Sequence, residues 1–184
     1  MKPIELLVEE HDNIKRMLKV MRKLALEVFN TKEVNQEAFA DAIDFVRNYA
    51  DDHHHGKEED ILFEKMVSEL DEEVEEGPIE AMFSEHDLGR YFISNLETAL
   101  EKVAAGDDEA KIDVSSNAVA YVDLLEGHIY KENNIVYNFA KEELSENSLA
   151  EVKRRTKKVE SIAKQDGIQD KYINMLEKWE KEYQ

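Results

Sequence analysis

The sequence carries the same histidine and glutamate pattern in each of its halves. A Glu-His-Asp tripeptide at residues 10–12 is followed at a distance by His54 and, four residues later, by Glu58. The tripeptide recurs at residues 85–87, and His128 and Glu132 follow it at nearly the same distance. Residues four apart on a helix lie on one face, so each His-x-x-x-Glu pair can point at one place. The duplication therefore predicts two similar pairs of helices that face a shared polar site.

Apolar residues recur at three- and four-residue spacing on both sides of these motifs, as on the buried face of a helix. We predict main helices over residues 3–29, 35–70, 79–105 and 114–144, with a break at Gly77-Pro78. Two further helices are expected over 149–164 and after Gly167. The short connections favour an all-α, antiparallel up-down-up-down four-helix bundle with additional C-terminal helices.

We expect residues 1–144 to form the bundle and residues 145–184 to form a helical extension that packs on it. Trp179 in this extension would be either a packing anchor or a dimer contact. The acidic runs Asp71-Glu72-Glu73 and Glu75-Glu76 are interpreted as solvated helix ends.

Composition excludes several classes of function. The 184 residues carry a formal net charge of −19, which would repel nucleic acid and anionic membrane surfaces. The chain has no cysteine, so thiolate metal sites and iron–sulfur clusters are excluded and a metal would need nitrogen and oxygen ligands. No signal peptide and no transmembrane segment is recognisable, and a cytoplasmic location is expected.

The repeated motifs predict a metal centre within the bundle. Buried polar groups without partners cost several kcal/mol, roughly, and ionised carboxylates in a core need a counter-charge. Imidazole and carboxylate together suit iron, manganese, zinc or nickel. Two metal ions would each take two histidines and share the two glutamates and one solvent oxygen, as an oxo or hydroxo bridge. The predicted ligands are His11, His54, Glu58, His86, His128 and Glu132.

Neighbouring residues offer alternatives to this ligand set. His53 and His55 flank His54, and His55 with Glu59 has the same four-residue spacing as the predicted pair. The match of residues 54–61 to residues 128–135 without a gap favours His54 and Glu58.

Other residues on the predicted inner faces are open to two interpretations. Gly89 would either leave space beside a metal for a small ligand or allow a close helix contact. Tyrosines could line the pocket or ligate a metal, although ordinary packing is the simpler role. The tyrosines concerned are Tyr49, Tyr91, Tyr121, Tyr130 and Tyr137.

Taken together, these motifs resemble the hemerythrin-like, HHE cation-binding family over about residues 4–140. The resemblance implies a di-iron centre in a four-helix bundle, and the bundle of myohemerythrin is itself a standard example of that architecture. The chain departs from hemerythrin oxygen carriers, which have a second histidine one turn after the third-helix ligand where this chain has Arg90. Those carriers also close the ligand set with an aspartate, whereas this chain has Glu132. In the second predicted helix, Glu64 follows Leu62-Phe63 at a position where the family usually has a proline.

The resemblance implies several functions that share one ligand set. The chain matches the four-His, two-Glu set of proteins that repair iron centres, but it lacks their cysteine-containing domain. We expect a protein that binds or senses dioxygen, nitric oxide or peroxide. The alternatives are a peroxidase, nitric-oxide reductase or repair enzyme served by an electron donor protein, and a protein that stores or donates iron or another divalent cation. The sequence leaves the choice among them, and the oligomeric state, open.

Overall fold

The computed structural model describes residues 2–70 and 75–183, with the backbone alone for residues 75 and 76. Every regular element in these ranges is helical, so the all-α prediction is confirmed. Helix α1 is Pro3–Thr31. Helix α2 has four sections, which are Gln36–Phe45, the π-helical Val46–His55 and Glu58–Phe63, and Glu64–Glu69.

The remaining four helices follow in chain order. Helix α3 consists of the π-helical Glu75–Ile79 and of Glu80–Ala104. Helix α4 consists of Ala110–Lys131, the π-helical Glu132–Val136 and Tyr137–Glu143. Helices α5 and α6 are Glu146–Gln165 and Ile168–Glu182.

Local sequence explains where several helices begin and end. Pro3 opens α1, because a proline at the first position gives up only an N–H group that has no partner within the helix. The side chains of Asn35 and Ser145 cap α2 and α5 by accepting hydrogen bonds from backbone N–H groups three residues later. Gly167 separates α5 from α6 with a φ of 69°, a left-handed conformation that glycine adopts without strain.

The predicted break at Gly77-Pro78 is wrong, because both residues lie inside the π-helical start of α3. Proline has no N–H group, so Pro78 donates no backbone hydrogen bond within α3. The acidic run Asp71-Glu72-Glu73 lies outside the described residues, as do the side chains of Glu75 and Glu76.

The first four helices form the bundle, in which α4 packs against both α1 and α3. Two separate apolar clusters fill its interior. On α1, for example, Leu7 belongs to one cluster and Ile14 to the other, and His11 lies between them. The polar layer thus separates two apolar cores, each of which fixes one end of the bundle.

Helices α5 and α6 pack on the side of the bundle formed by α1 and α2. Trp179 is buried, and its indole N–H donates a hydrogen bond to Asp41 of α2 over 2.8 Å. Trp179 is therefore a packing anchor within the chain. Across residues 2–70 and 75–183, no helix combines the length and apolar character needed to cross a bilayer.

Candidate metal centre

All six predicted ligands lie together in the polar layer of the bundle. Each of them has 1% or less of its surface exposed. Helix α1 supplies His11, α2 supplies His54 and Glu58, α3 supplies His86, and α4 supplies His128 and Glu132. Along each helix, residues of one apolar cluster precede the ligands and residues of the other follow them, so the ligands of all four helices lie at one level.

The four histidines form two pairs whose Nε2 atoms face each other. The Nε2 atoms of His11 and His54 are 2.9 Å apart, and those of His86 and His128 are 3.0 Å apart. We call the first pair, with its surroundings, the α1/α2 half of the centre, and the second the α3/α4 half.

Each glutamate presents one oxygen to each half. Glu58 Oε1 lies 3.5 Å from His54 Nε2, whereas its Oε2 lies 3.6 Å from His86 Nε2. Glu132 Oε2 lies 3.1 Å from His11 Nε2, and its Oε1 lies 3.2 Å from His128 Nε2. Both carboxylates therefore span the space between the two histidine pairs.

The glutamate oxygens are poorly satisfied by the protein. Among the described residues, Glu58 Oε2 and both oxygens of Glu132 are buried without a hydrogen bond of acceptable geometry. A buried, unpartnered carboxylate oxygen is costly, and a bound cation is the usual way to satisfy it. These unpartnered oxygens indicate a cation site independently of the repeated sequence motif.

The charges of the two glutamates are set by burial and by each other. Burial and the nearby charge of Glu132 raise the pKa of Glu58 well above its usual range. Burial would raise the pKa of Glu132 as well, but the imidazoles of His128, His11 and His86 outweigh it and hold that pKa well below its usual range. Glu132 thus gives up its proton more readily than Glu58.

His54 differs from His86 and His128 in how readily it takes up a proton. Burial and the neighbouring His11 lower the pKa of His54 to about 3, so His54 is a neutral imidazole. Burial also acts to lower the pKa of His86 and of His128, but contacts with Glu132 outweigh it and raise both values. Because a metal ligand must be the deprotonated imidazole, cation binding would release protons from the α3/α4 half.

A second layer of side chains orients all four histidines. The Nδ1–H group of His54 donates to Glu10 and that of His128 donates to Glu85, each over 2.9 Å. The Nδ1–H group of His86 donates to Glu59 over 2.6 Å. Such bonds fix the tautomer that leaves the Nε2 lone pair free for a metal.

His11 completes this second layer with a neutral acceptor. Its Nδ1–H group donates to Oδ1 of Asn133 over 2.9 Å. The α1/α2 half therefore has one carboxylate and one amide behind its histidines, and the α3/α4 half has two carboxylates.

Sequence spacing indicates Glu59 only as a possible ligand together with His55, and it indicates no role for Glu10, Glu85 or Asn133. Each of them is the direct neighbour of a predicted ligand, because Glu10 and Glu85 precede a histidine while Glu59 and Asn133 follow a glutamate. The recurrence of these neighbours in both halves of the sequence was the signal that could have identified them.

Basic side chains neutralise the second-layer carboxylates. Lys57 donates to Glu10, and Lys131 donates to Glu85 in the other half. Arg90 donates to Glu59 and to Asp51, each over 2.7 Å. Arg90, which stands where oxygen carriers have a histidine, thus points away from the centre and supports it from outside.

The two alternative histidines lie outside the set of six. His53 Nε2 is 3.2 Å from both Glu10 and Glu160. Lys57 lies among these groups, where it donates to both carboxylates and its Nζ is 3.0 Å from His53 Nε2. The ring of His55 stacks on that of His86, with centroids 3.8 Å apart and planes 11° apart. One nitrogen of His55 nevertheless lies within 4.8 Å of one nitrogen each of His86 and His128, so these three histidines form a further candidate group of metal ligands.

The tyrosines named in the sequence analysis take different positions. Tyr137 lies nearest the centre, where its ring stacks on His11 at 5.5 Å and its hydroxyl donates to Glu58 Oε1. The hydroxyl of Tyr49 accepts a hydrogen bond from Asn13, and Tyr121 is buried. Tyr91 and Tyr130 are exposed and lie away from the ligand set.

Comparison with known proteins assigns the chain to a family. No curated protein and no solved structure matches it significantly. A family model described as the hemerythrin HHE cation binding domain matches residues 2–140, which include all six side chains of the candidate centre. The histidine and glutamate clusters of the chain are candidate sites for iron or another cation. The chain therefore belongs to the hemerythrin HHE cation-binding family.

Proposed function

We propose that the protein is a non-haem di-iron protein that binds or senses a small molecule such as dioxygen, nitric oxide or peroxide. His11 and His54 would hold one iron, and His86 and His128 would hold the other. Glu58 and Glu132 would bridge the two ions.

The division of the carboxylate oxygens between the two histidine pairs is the observation that carries this proposal. Ligand atoms that lie about 2.1 Å from one metal ion, at right angles to each other, are roughly 3 Å apart. The Nε2 atoms of each pair have this separation, at 2.9 and 3.0 Å. Each pair also has one oxygen of Glu58 and one of Glu132 nearby, within 3.6 Å. This arrangement supports two cations, each with two histidine nitrogens and one oxygen from each glutamate as ligands.

The chemistry of the donors favours iron. Mixed imidazole and carboxylate ligands with open positions are typical of non-haem iron that handles small molecules, and the chain has no cysteine to favour a softer ion. Bound iron would supply the change of oxidation state and the open coordination position. The protein itself fixes the imidazole tautomers, surrounds the centre with apolar residues and excludes bulk water.

Anaerobic reconstitution with ferrous iron tests this proposal. We expect two irons per chain, and spectral changes when dioxygen, nitric oxide or peroxide is added. Glu132→Gln should lower the iron content, because an amide is a poor bridge between two cations. Glu126→Gln, an exposed change on the same helix, should retain two irons. Fewer than two irons in the unaltered protein would contradict the dinuclear centre.

The same samples distinguish the proposed role from its alternatives. A reversible adduct without consumption of the added molecule would support a binder or sensor. Continuous consumption in the presence of a reductant would indicate an enzyme instead. Iron that transfers readily to a chelator, without a stable adduct, would indicate storage or donation.

A further inference from the structure

A cavity of about 140 Å³ lies between α2, α3 and α4, beside His86. A water molecule occupies roughly 30 Å³ in the liquid, so the cavity has room for several waters or for one small molecule. Its wall includes His86 and His55, but neither His11 nor His54. The cavity therefore adjoins the α3/α4 half of the centre.

Charged and apolar residues line different parts of this cavity. Val46, Ile93 and Leu125 are buried, whereas Asp51 and Arg90 are partly exposed. The charged side is thus the side toward solvent. Both arginines of the wall are already paired with carboxylates, Arg90 with Asp51, Glu59 and Asp87 and Arg47 with Glu97. The cavity consequently favours an uncharged molecule over an anion.

Gly89 keeps the cavity open next to His86. A Cβ atom at this position would lie 3.4 Å from Cε2 of Tyr121 and 3.5 Å from Cδ2 of Leu125. These are contact distances, so alanine fits without displacing a neighbour, but its methyl group would occupy space between the two walls. Of the two roles considered for Gly89, the space that it leaves beside the centre is the one that matters here, because the contact with α4 would also tolerate alanine.

Tyr121 gives the cavity a hydrogen-bonding group that the described residues leave unused. The tyrosine is 1% exposed, and its hydroxyl has no hydrogen-bond partner among them. Burial and the charge of Asp51 raise its pKa, so the hydroxyl keeps its proton and remains a donor. A buried hydroxyl without a partner is unfavourable, and a bound molecule with an acceptor atom would provide the missing hydrogen bond.

The α1/α2 half is more closely covered than the half beside the cavity. The ring of Tyr137 lies parallel to His11, and Lys57 and Glu160 close the outer side behind Glu10. Within residues 2–70 and 75–183, α5 and α6 pack on α1 and α2, and no helix covers the α3/α4 half in the same way. The fold thus gives the two halves unequal access.

We propose that this cavity is the pocket in which a small uncharged molecule, of the size of nitric oxide or dioxygen, approaches the centre on its α3/α4 half. Gly89 provides the space and Tyr121 provides a hydrogen bond. The inference rests on the proposed function, since it assumes iron at the centre.

Nitric oxide is the probe for this pocket, added to the protein reconstituted with ferrous iron. In Gly89→Ala, we expect the added methyl group to lower the affinity for nitric oxide about tenfold. Gly127→Ala is the matched control, because Gly127 is exposed on α4 and a Cβ atom there would meet nothing within 4 Å. It should bind nitric oxide like the unaltered protein. Circular dichroism and an iron count of two per chain verify that each variant is folded and loaded.

Tyr121→Phe tests the hydrogen bond separately from the size of the cavity, because it removes the hydroxyl without adding volume. Loss of the hydroxyl should shift the N–O stretching frequency of the adduct in the infrared spectrum while the iron count stays at two. If both variants retain two irons and match the unaltered protein in affinity and in stretching frequency, the pocket is refuted and the di-iron proposal stands. If the unaltered protein does not bind two irons, the proposed function is refuted and the pocket with it.

Discussion

Lys57 of α2 donates a hydrogen bond to Glu160 of α5 over 2.6 Å, and this contact connects the C-terminal helices to the candidate centre. Lys57 also donates to Glu10, which in turn accepts from His54. In the other half of the centre Lys131 has the place of Lys57, but its side chain is 38% exposed whereas that of Lys57 is 1% exposed. The duplicated motif is therefore surrounded by different environments in its two halves.

We predict that Lys57→Met destabilises the cation-free protein by about 3 kcal/mol, because removing one partner of a buried ion pair leaves the other uncompensated. Lys131→Met is the matched change at the more exposed position and should cost less than about 1 kcal/mol. Urea denaturation of both variants measures the difference. Equal losses would mean that burial by α5 does not strengthen the contact.

Glu160 should make stability depend on pH. Burial acts to raise its pKa, but hydrogen bonds with His53 and Lys57 outweigh it and hold the pKa below the ordinary value of 4.5. A carboxyl whose pKa is lowered by folding stabilises the protein above its unfolded pKa, and the contribution is lost as the pH falls through its folded pKa. Glu160→Gln should therefore cost about 1–2 kcal/mol at pH 7 and progressively less below pH 4.5.

Chemical denaturation of the Glu160→Gln variant and the unaltered protein at pH 7, 5 and 4, for example, checks this trend. The exposed substitution Glu142→Gln should stay within about 0.5 kcal/mol at every pH. A difference for Glu160→Gln that grows on acidification would have the wrong sign and would exclude the ion pair as its cause.

The second-layer carboxylates should control cation affinity. Glu85→Ala removes the acceptor behind His128, and such changes typically lower metal affinity about 10–100-fold. Titration with cobalt(II), followed by calorimetry, should show one weakened site and one unchanged site. Glu80→Ala, which alters an exposed residue on the same helix, should leave both sites unchanged. A uniform weakening of both sites would show that Glu85 does not act through His128 alone.

Glu58→Gln should separate cation binding from folding. The raised pKa of Glu58 makes the neutral amide a close substitute for its protonated form in the cation-free protein. We expect the substitution to change the free energy of unfolding of the cation-free protein, measured by thermal unfolding, by less than about 1 kcal/mol. The stabilisation that iron gives to the unaltered protein should be absent from the variant, because ligand binding stabilises only the state that binds. A large loss of stability without cation would instead assign Glu58 a structural role.

The arrangement of the main helices could be predicted because two signals in the sequence agree. Apolar periodicity defines the buried faces, and the duplicated motif places His11, His54, His86 and His128 on them. Helices that pack in register then bring these residues to one level. Glu58 and Glu132 follow from the four-residue spacing alone.

Other features depend on contacts that sequence spacing does not determine. The π-helical sections that contain His54, Glu58 and Glu132 change the backbone hydrogen-bond pattern over 5 to 10 residues, and an apolar pattern cannot distinguish them from an α-helix. The contact of Lys57 with Glu160 depends on which side of the bundle α5 covers. The stacking of His55 on His86 likewise depends on the packing of α2 against α3.

The six donors all come from helices, and each helix is fixed by apolar residues on both sides of the polar layer. No loop has to close when a metal ion binds to such a centre, and no loop can open to release the ion. Exchange of an ion with solvent should therefore be limited by its passage between packed side chains. A centre of this kind would retain its ions against a chelator for longer than its equilibrium affinity alone suggests, which timed extraction can measure.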